Sequence, residues 1–271
     1  QDRLAKTWGD PPFRLQATAS QPARITYTAS GPCRIADARV SLDAAGVCRV
    51  TATAVSTTTE QTASASLAIT IAKARPTITA DDASLAYARD FAHQLTAGVE
   101  PDALLSYRLD PDHTPTGGFR CRVEDGVLTL VGGVNAGAGP ASLLPVTCPI
   151  EVAALASPNI EPGAPVGFDV TVTAPPLDLV ADPTTADVTG NNEVTVTLTE
   201  STGFGNTPTT QPDKGCTPGP VARISPTRFT STITTQGGDY TCTITWQMQS
   251  WLGGPTATAA TTITVKPPIV G

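Results

Sequence analysis

Three stretches of the chain end in the same way. Leu67, Ile69 and Ile71 alternate with small or polar residues and run into Lys73-Ala-Arg-Pro76. Phe168, Val170 and Val172 run into Ala174-Pro-Pro176, and Ile263 and Val265 run into Lys266-Pro-Pro268. Period-two alternation marks a half-buried β-strand, and a proline placed directly after it cannot donate to a ladder, so each ending closes a sheet. Endings roughly ninety residues apart divide the 271 residues into three units, 1–73, 74–175 and 176–271, each the size of a β-sandwich of about 100 residues. No helical stripe competes with this pattern.

Only 5% of the residues are aromatic, so the cores have to be built from Val, Ile, Leu and Ala, which bury less area per residue than aromatic rings. A second source of stability is expected, and the six cysteines supply it. They fall two to a unit, Cys33 and Cys48, Cys121 and Cys148, Cys216 and Cys242. An even count at a regular rhythm, with no CxxC pair and no histidine cluster, favours disulfides over zinc and places the chain in an oxidising compartment. Pairing within units closes loops of 14, 26 and 25 residues, each bridge contributing roughly 3 kcal/mol by restricting the unfolded chain.

The net charge of −7 argues against a nucleic-acid surface or an anionic membrane, both of which need a positive field. The seventeen basic residues read as solvated strand faces. No run approaches the roughly 18 apolar residues of a membrane span. No charged-then-apolar leader opens the chain, so the expectation is a secretion signal already removed ahead of Gln1. No lipidation or wall-sorting motif closes it, and an anchor is expected outside these residues.

Residues of the first unit resemble a known family. Lys6-Thr-Trp-Gly-Asp-Pro-Pro-Phe-Arg-Leu-Gln-Ala-Thr-Ala-Ser20, Ile25-Thr-Tyr-Thr-Ala-Ser-Gly-Pro-Cys33 and Ala44-Ala-Gly-Val-Cys-Arg-Val-Thr-Ala-Thr-Ala54 look like the bacterial Ig-like repeats of large secreted and cell-surface proteins. Those repeats commonly read K-T-Y-G-D-x-P-F, V-T-Y-T-S-S-G-P-C and G-A-G-T-C-T-V-T-A. Trp8 stands at the family's usual Tyr, and Cys33 and Cys48 match its paired cysteines. The resemblance implies an Ig-like sandwich and no activity, because the family is mostly spacer and scaffold. Its repeats usually carry a strand before the K-T-Y-G-D segment, whereas five residues, Gln1 to Ala5, precede Lys6 here. The first unit is therefore expected to lack its first strand, either because that strand is unnecessary or was cut off, or, as the sharper alternative, because the exposed edge accepts one from a neighbouring copy by β-augmentation. The tail Thr261 to Gly271 is the expected donor, and repetition of that contact would give a filament.

The second unit opens Pro76-Thr-Ile-Thr-Ala-Asp-Asp-Ala-Ser-Leu-Ala-Tyr-Ala-Arg-Asp90, similar to another bacterial Ig-like repeat, I-T-A-D-D-x-S-x-x-Y-G-D, with Ala88 in place of the glycine. Asp110 to Gly118 and Gly132 to Pro140 read as long surface loops, where a binding function would sit on such a scaffold. In the third unit, Thr199 to Pro220 reads as a long polar loop. Gly238-Asp-Tyr-Thr-Cys242 resembles the D-x-Y-x-C of Ig strand F, which implies a tyrosine corner at Tyr240. Cys216 is too close in sequence to Cys242 for the usual inter-sheet bridge from the second strand, so a loop or neighbouring strand is expected to hold it.

Chemistry is sparse. The two histidines, His93 and His113, stand in polar stretches, and no G-x-S-x-G elbow frames a nucleophile, so no catalytic residue is assigned. Asp81-Asp82, Asp110 with Asp112, Glu124-Asp125 and the junction residues Asp178, Asp182 and Asp187 are acidic enough to consider calcium. No D-x-D-x-D-G loop appears, and Asp beside Pro or Gly is ordinary turn chemistry. No metal or cofactor is assigned. Lys73 and Lys266 end last strands, where an isopeptide crosslink would start, but no acceptor pairs with them in the sequence. Trp246 follows the alternation of its strand and reads as core, while Trp251 beside Leu252-Gly-Gly254 is the candidate ligand contact, suited to stacking on a sugar ring.

The expected protein is all-β, three tandem Ig-like sandwiches each with one disulfide, secreted or displayed on a bacterial surface and not an enzyme. The expected role is a stalk, fibre or filament subunit that self-associates or links flanking domains. The alternative is an adhesin or carbohydrate-binding module that meets a glycan or cell-surface ligand through the loops of the second unit or Trp251.

Overall fold

A computed structural model describes residues 2–56, 62–112, 118–132 and 143–268. His113, much of the two glycine- and proline-rich loops of the second unit, and Ile269 to Gly271 lie outside the described residues. The alternating stretches become strands, and every regular element described is β.

In module 1 the strands are β1 (Asp2–Thr7), β2 (Phe13–Arg14), β3 (Ala23–Ser30), β4 (Cys33–Ala36), β5 (Arg39–Leu42), β6 (Gly46–Ser56) and β7 (Thr62–Ala72). They form two sheets, ordered β1-β7-β6-β3 and β2-β5-β4. The buried members of the core, Cys33, Val40, Cys48, Val50, Ile69 and Ile71, face one another between them. Gly31 has φ 96°, and a Cβ there would stand 2.5 Å from the carbonyl oxygen of Val47, which explains the glycine ahead of Pro32-Cys33.

Module 2 comprises β8 (Thr77–Thr79), β9 (Ala83–Ala86), β10 (Ala92–Gln94), β11 (Gly98–Glu100), β12 (Leu105–Leu109), β13 (Phe119–Glu124), β14 (Val127–Gly132), β15 (Val146–Ala154) and β16 (Val166–Thr173). Its sheets run β12-β15-β16-β9 and β10-β14-β13, with β8 and β11 as a separate pair. Asp125 and Gly126 both have positive φ in the β13–β14 hairpin, the two-residue turn that matches strand twist.

Module 3 comprises β17 (Leu179–Asp182), β18 (Thr185–Thr189), β19 (Asn192–Glu200), β20 (Thr209–Pro212), β21 (Cys216–Pro218), β22 (Ala222–Ser225), β23 (Arg228–Thr235), β24 (Tyr240–Met248) and β25 (Ala257–Lys266). One sheet runs β17-β19-β23-β21, with β22 also on β23, and the other runs β18-β25-β24-β20.

The three modules repeat one plan. A strand near the start of each lies parallel to the last strand: β1 along β7, β9 along β16 and β18 along β25. Each disulfide crosses the sandwich to the next-to-last strand: Cys33 of β4 to Cys48 of β6, Cys121 of β13 to Cys148 of β15, and Cys216 of β21 to Cys242 of β24. Two facing sheets closed in this order are Ig-like sandwiches.

Asp2–Thr7 pairs in parallel with Leu67–Ala72 over six positions, an edge strand that takes in Lys6 and Thr7 of the resembling segment. Of the expected donor Thr261 to Gly271, the residues Thr262 to Val265 are paired within module 3 with both β24 and β18, and Ile269 to Gly271 lie outside the described residues. The stretch from Thr199 to Pro220 is not one loop but holds the end of β19 together with β20 and β21. Of the two expected holders of Cys216, a loop or a neighbouring strand, it is a strand, β21, which pairs with β23 in the facing sheet. The tyrosine corner is present: the Tyr240 hydroxyl lies 2.8 Å from the carbonyl oxygens of Gly215 and Gln236 and accepts the Gln236 N–H at 3.0 Å.

Candidate functional site: the two joints and the Trp251 rim

Modules 1 and 2 are sewn together by backbone. The Ala74 N–H donates to Asn159 O and the Glu161 N–H donates to Ala74 O, at 2.9 and 2.8 Å, while the Asn159 side chain accepts the Ala45 N–H of module 1 at 2.9 Å. Lys73 Nζ donates to Ser157 O, and Arg75 pairs with Glu161. Ala74 and Ile160 are both buried. The short join therefore behaves as an added strand segment rather than as a free linker.

Modules 2 and 3 meet through side chains. Phe204 and Leu252, on loops of module 3, belong to the buried cluster of module 2. The Phe204 ring packs on Tyr87, which in turn stacks on Phe119 and Phe91, and the Arg89 guanidinium lies 5.5 Å from the Phe204 centroid. Leu144 N–H donates to Leu252 O at 2.9 Å. A buried carboxylate shapes the Phe204 loop: Glu200 Oε2 accepts from the N–H and hydroxyl of Thr202 at 2.7 and 2.9 Å. Thr202 Oγ1 then accepts the Phe204 N–H. Gly205 fits because any Cβ there would collide with Met248 Sδ at 2.2 Å.

Trp251 sits on the rim of this joint. It is 40% exposed, and its ring meets Phe204 edge-on at 5.6 Å, while its backbone N–H donates to Phe204 O. Trp246 is fully buried, its indole N–H directed at Thr261 Oγ1. The six cysteines come together only as the three disulfides. Among the described residues no three His, Cys, Asp or Glu side chains gather closely enough to hold a metal ion. His93 is half-buried on β10. Lys266 is exposed and Lys73 is engaged at the first joint. No helix of the described residues is long and apolar enough to cross a membrane.

The residues that matter at the second joint, Tyr87, Arg89, Phe91, Phe119, Phe204 and Leu252, were not singled out by sequence. One signal was available, a lone Phe inside the glycine-bearing loop Ser201-Thr-Gly-Phe-Gly205.

No family model and no curated protein matches the chain. Solved structures match it at low identity and low TM-score. Drosophila N-cadherin EC1-4 is 14% identical over 98% of this chain and 73% of its own, with a TM-score of 0.30. The titin domains Z1Z2, solved in complex with telethonin, are 12% identical over 70% and 94%, with a TM-score of 0.37. An endo-fucoidan hydrolase of glycoside hydrolase family 107 is 12% identical over 95% and 44%, with a TM-score of 0.28.

Proposed function

We propose that this chain is a non-catalytic extracellular structural segment, a stalk or fibre piece of a bacterial cell surface related to the Ig-like repeats its first module resembles. The observation that carries this reading is that both joints are occupied. Backbone pairing at Ala74 and an aromatic plug at Phe204 hold neighbouring modules in a set relation, which suits a part that sets distance. Three disulfides suit an oxidising compartment. Small-angle X-ray scattering of the oxidised protein tests the reading, with immunogold labelling of producing cells. A scattering profile of one extended shape, and label at the surface, are expected. A profile that only an ensemble of freely jointed modules can fit, or label confined to the cytoplasm, would overturn it.

A second reading, binding of a carbohydrate or cell-surface ligand, is favoured by one observation. Trp251 is an exposed indole held at a fixed angle by Phe204, a geometry suited to stacking on a sugar ring. A glycan array probed with the protein and with Trp251→Ala decides it: a hit lost in the variant supports binding, and no hit removes it.

A further inference from the structure

The four-stranded sheet of module 1 turns alternate residues to solvent, and its ladders set those residues in rows across β3, β6, β7 and β1. One row reads Ser30, Arg49, Ala68 and Arg3. In the next row Thr51 and Ser66 stand opposite each other, their hydroxyls 3.4 Å apart. Val47, two residues before Arg49 on the same face, is 58% exposed. Apart from Arg24 at the far end of β3, every other outward residue of the sheet is Ser, Thr, Ala or Val. Among the described residues, then, this face carries arginines and no carboxylate.

Arg3 and Arg49 are both exposed, and neither guanidinium has an ion-pair or hydrogen-bond partner among the described residues. The same sheet in the other modules differs. In module 2 the outward Arg108 is held by Glu151 at 2.6 Å, and Asp169 lies on that face as well. In module 3 the outward Lys266 shares its face with Asp187. Positive charge is left uncompensated only in module 1. Arg49 and Arg3 flank Ala68 from the two strands beside it, so their backbones are two strand spacings apart, about 10 Å, with a small residue between them.

A guanidinium without a partner presents a planar fork of donors that fits a carboxylate. Neighbouring hydroxyls both donate to and accept from the hydroxyls of a sugar, and Val47 and Ala68 offer an apolar floor to the C–H side of a pyranose ring. We infer that this row binds an extended acidic polysaccharide, a chain whose sugars carry carboxylates, with Arg49 and Arg3 each taking a carboxylate across Ala68. Charge complementarity selects this occupant over denser polyanions. Residues 1–73 carry eight Lys and Arg against five Asp and Glu, a net of +3, whereas residues 74–271 carry nine against nineteen, a net of −10. A nucleic acid duplex, with one charge per roughly 1.7 Å, would meet two arginines here and repulsion from the rest of the chain. A polyuronate bears one charge per sugar and needs few contacts. The row lies about 20 Å along the strands from the β6–β7 turn, six residues separating Arg49 from Val55. It is also a different site from the Trp251 rim, so its failure would leave the spacer reading and the Trp251 reading intact.

The experiment titrates a galacturonic acid hexamer into the oxidised full chain at low salt, followed by calorimetry and by NMR of arginine Nε–H and backbone amides. Saturable binding with shifts at Arg3, Arg49 and Ala68 is expected, weakening as salt screens the charges. Arg3→Gln and Arg49→Gln should each weaken it by about tenfold, the loss of one charge-assisted hydrogen bond; both side chains are exposed, so both variants should melt like the wild type. Arg34→Gln, on the facing sheet and paired with Asp43, removes the same charge and should leave the affinity nearly unchanged. The methyl-esterified hexamer should not bind. Absence of shifts at millimolar hexamer, equal binding of the ester, or equal weakening by Arg34→Gln overturns the inference. Tighter binding of polyphosphate or single-stranded DNA through the same two arginines would overturn the carboxylate assignment in favour of a phosphate polymer. Loss of hexamer binding in Trp251→Ala would move the glycan site to the second joint.

Discussion

The Phe204 ring of module 3 lies 5.6 Å, centroid to centroid, from the Tyr87 ring of module 2. Phe204 is 6% exposed and sits in a core that its own module does not build. The two modules therefore share a folding unit across the joint. Replacing Phe204 by Ala should cost on the order of 3 kcal/mol, the usual loss for a packed phenylalanine. It should also split one denaturant transition into two, since the module 2 core loses its lid while module 3 keeps its own cluster. Urea unfolding followed by residue-resolved NMR checks this, and a single unshifted transition would contradict it.

Tyr240 closes module 3 in a different way. Its hydroxyl ties β24 to Gly215, one residue before the disulfide cysteine, and to Gln236. Tyr240→Phe keeps the ring, which packs near Gly215, and removes only the hydroxyl. A loss of about 1–1.5 kcal/mol is expected in the module 3 transition, the net worth of a hydrogen bond, with the Cys216–Cys242 bridge still formed. Denaturant titration of the variant beside the wild type measures it.

Much of this architecture could be read from local pattern. Strand alternation and the cysteine rhythm are properties of nearby residues, and the Asp125-Gly126 turn states its own geometry. Trp246 was legible as core because it keeps the phase of Cys242 and Ile244. Long-range choices were not legible. Nothing near Phe204 says that its ring will enter another module, and nothing in Asp2–Thr7 says that it will lie parallel to β7. Nor does the tail Thr261 to Gly271 say that its first residues will pair within module 3: a strand with an alternating face fits its own sheet as well as a neighbour's.

Module 1 should depend most on its disulfide. Among the described residues six buried ones make its core, against sixteen in each of the other clusters, and two of the six are Cys33 and Cys48. The bridge contributes roughly 3 kcal/mol, a large share of what so small a sandwich can hold. Under graded reduction the first tryptic cleavages are expected within residues 1–73, at sites such as Arg24 and Arg49, while modules 2 and 3 stay resistant. Mass spectrometry of the early fragments tests the order, and initial cleavage in module 3 would reverse it.

Tyr107, on β12, ties part of the stability to pH at the alkaline end. Burial pushes its phenol above the usual tyrosine value, and a hydrogen bond from the Ala97 backbone offsets part of that rise. The sign follows from which state ionises first. Below about pH 10, the ordinary tyrosine value, the phenol is neutral in both states and its full contribution is present. Above that the unfolded chain loses its proton more readily than the folded one, so stability falls as pH rises through the folded value. Tyr107→Phe should flatten this fall, leaving a smaller difference in stability between pH 9 and pH 11 than in the wild type, with little change at pH 7. Chemical denaturation of both proteins across that range gives the comparison, and parallel pH profiles would mean that Tyr107 is not the group responsible.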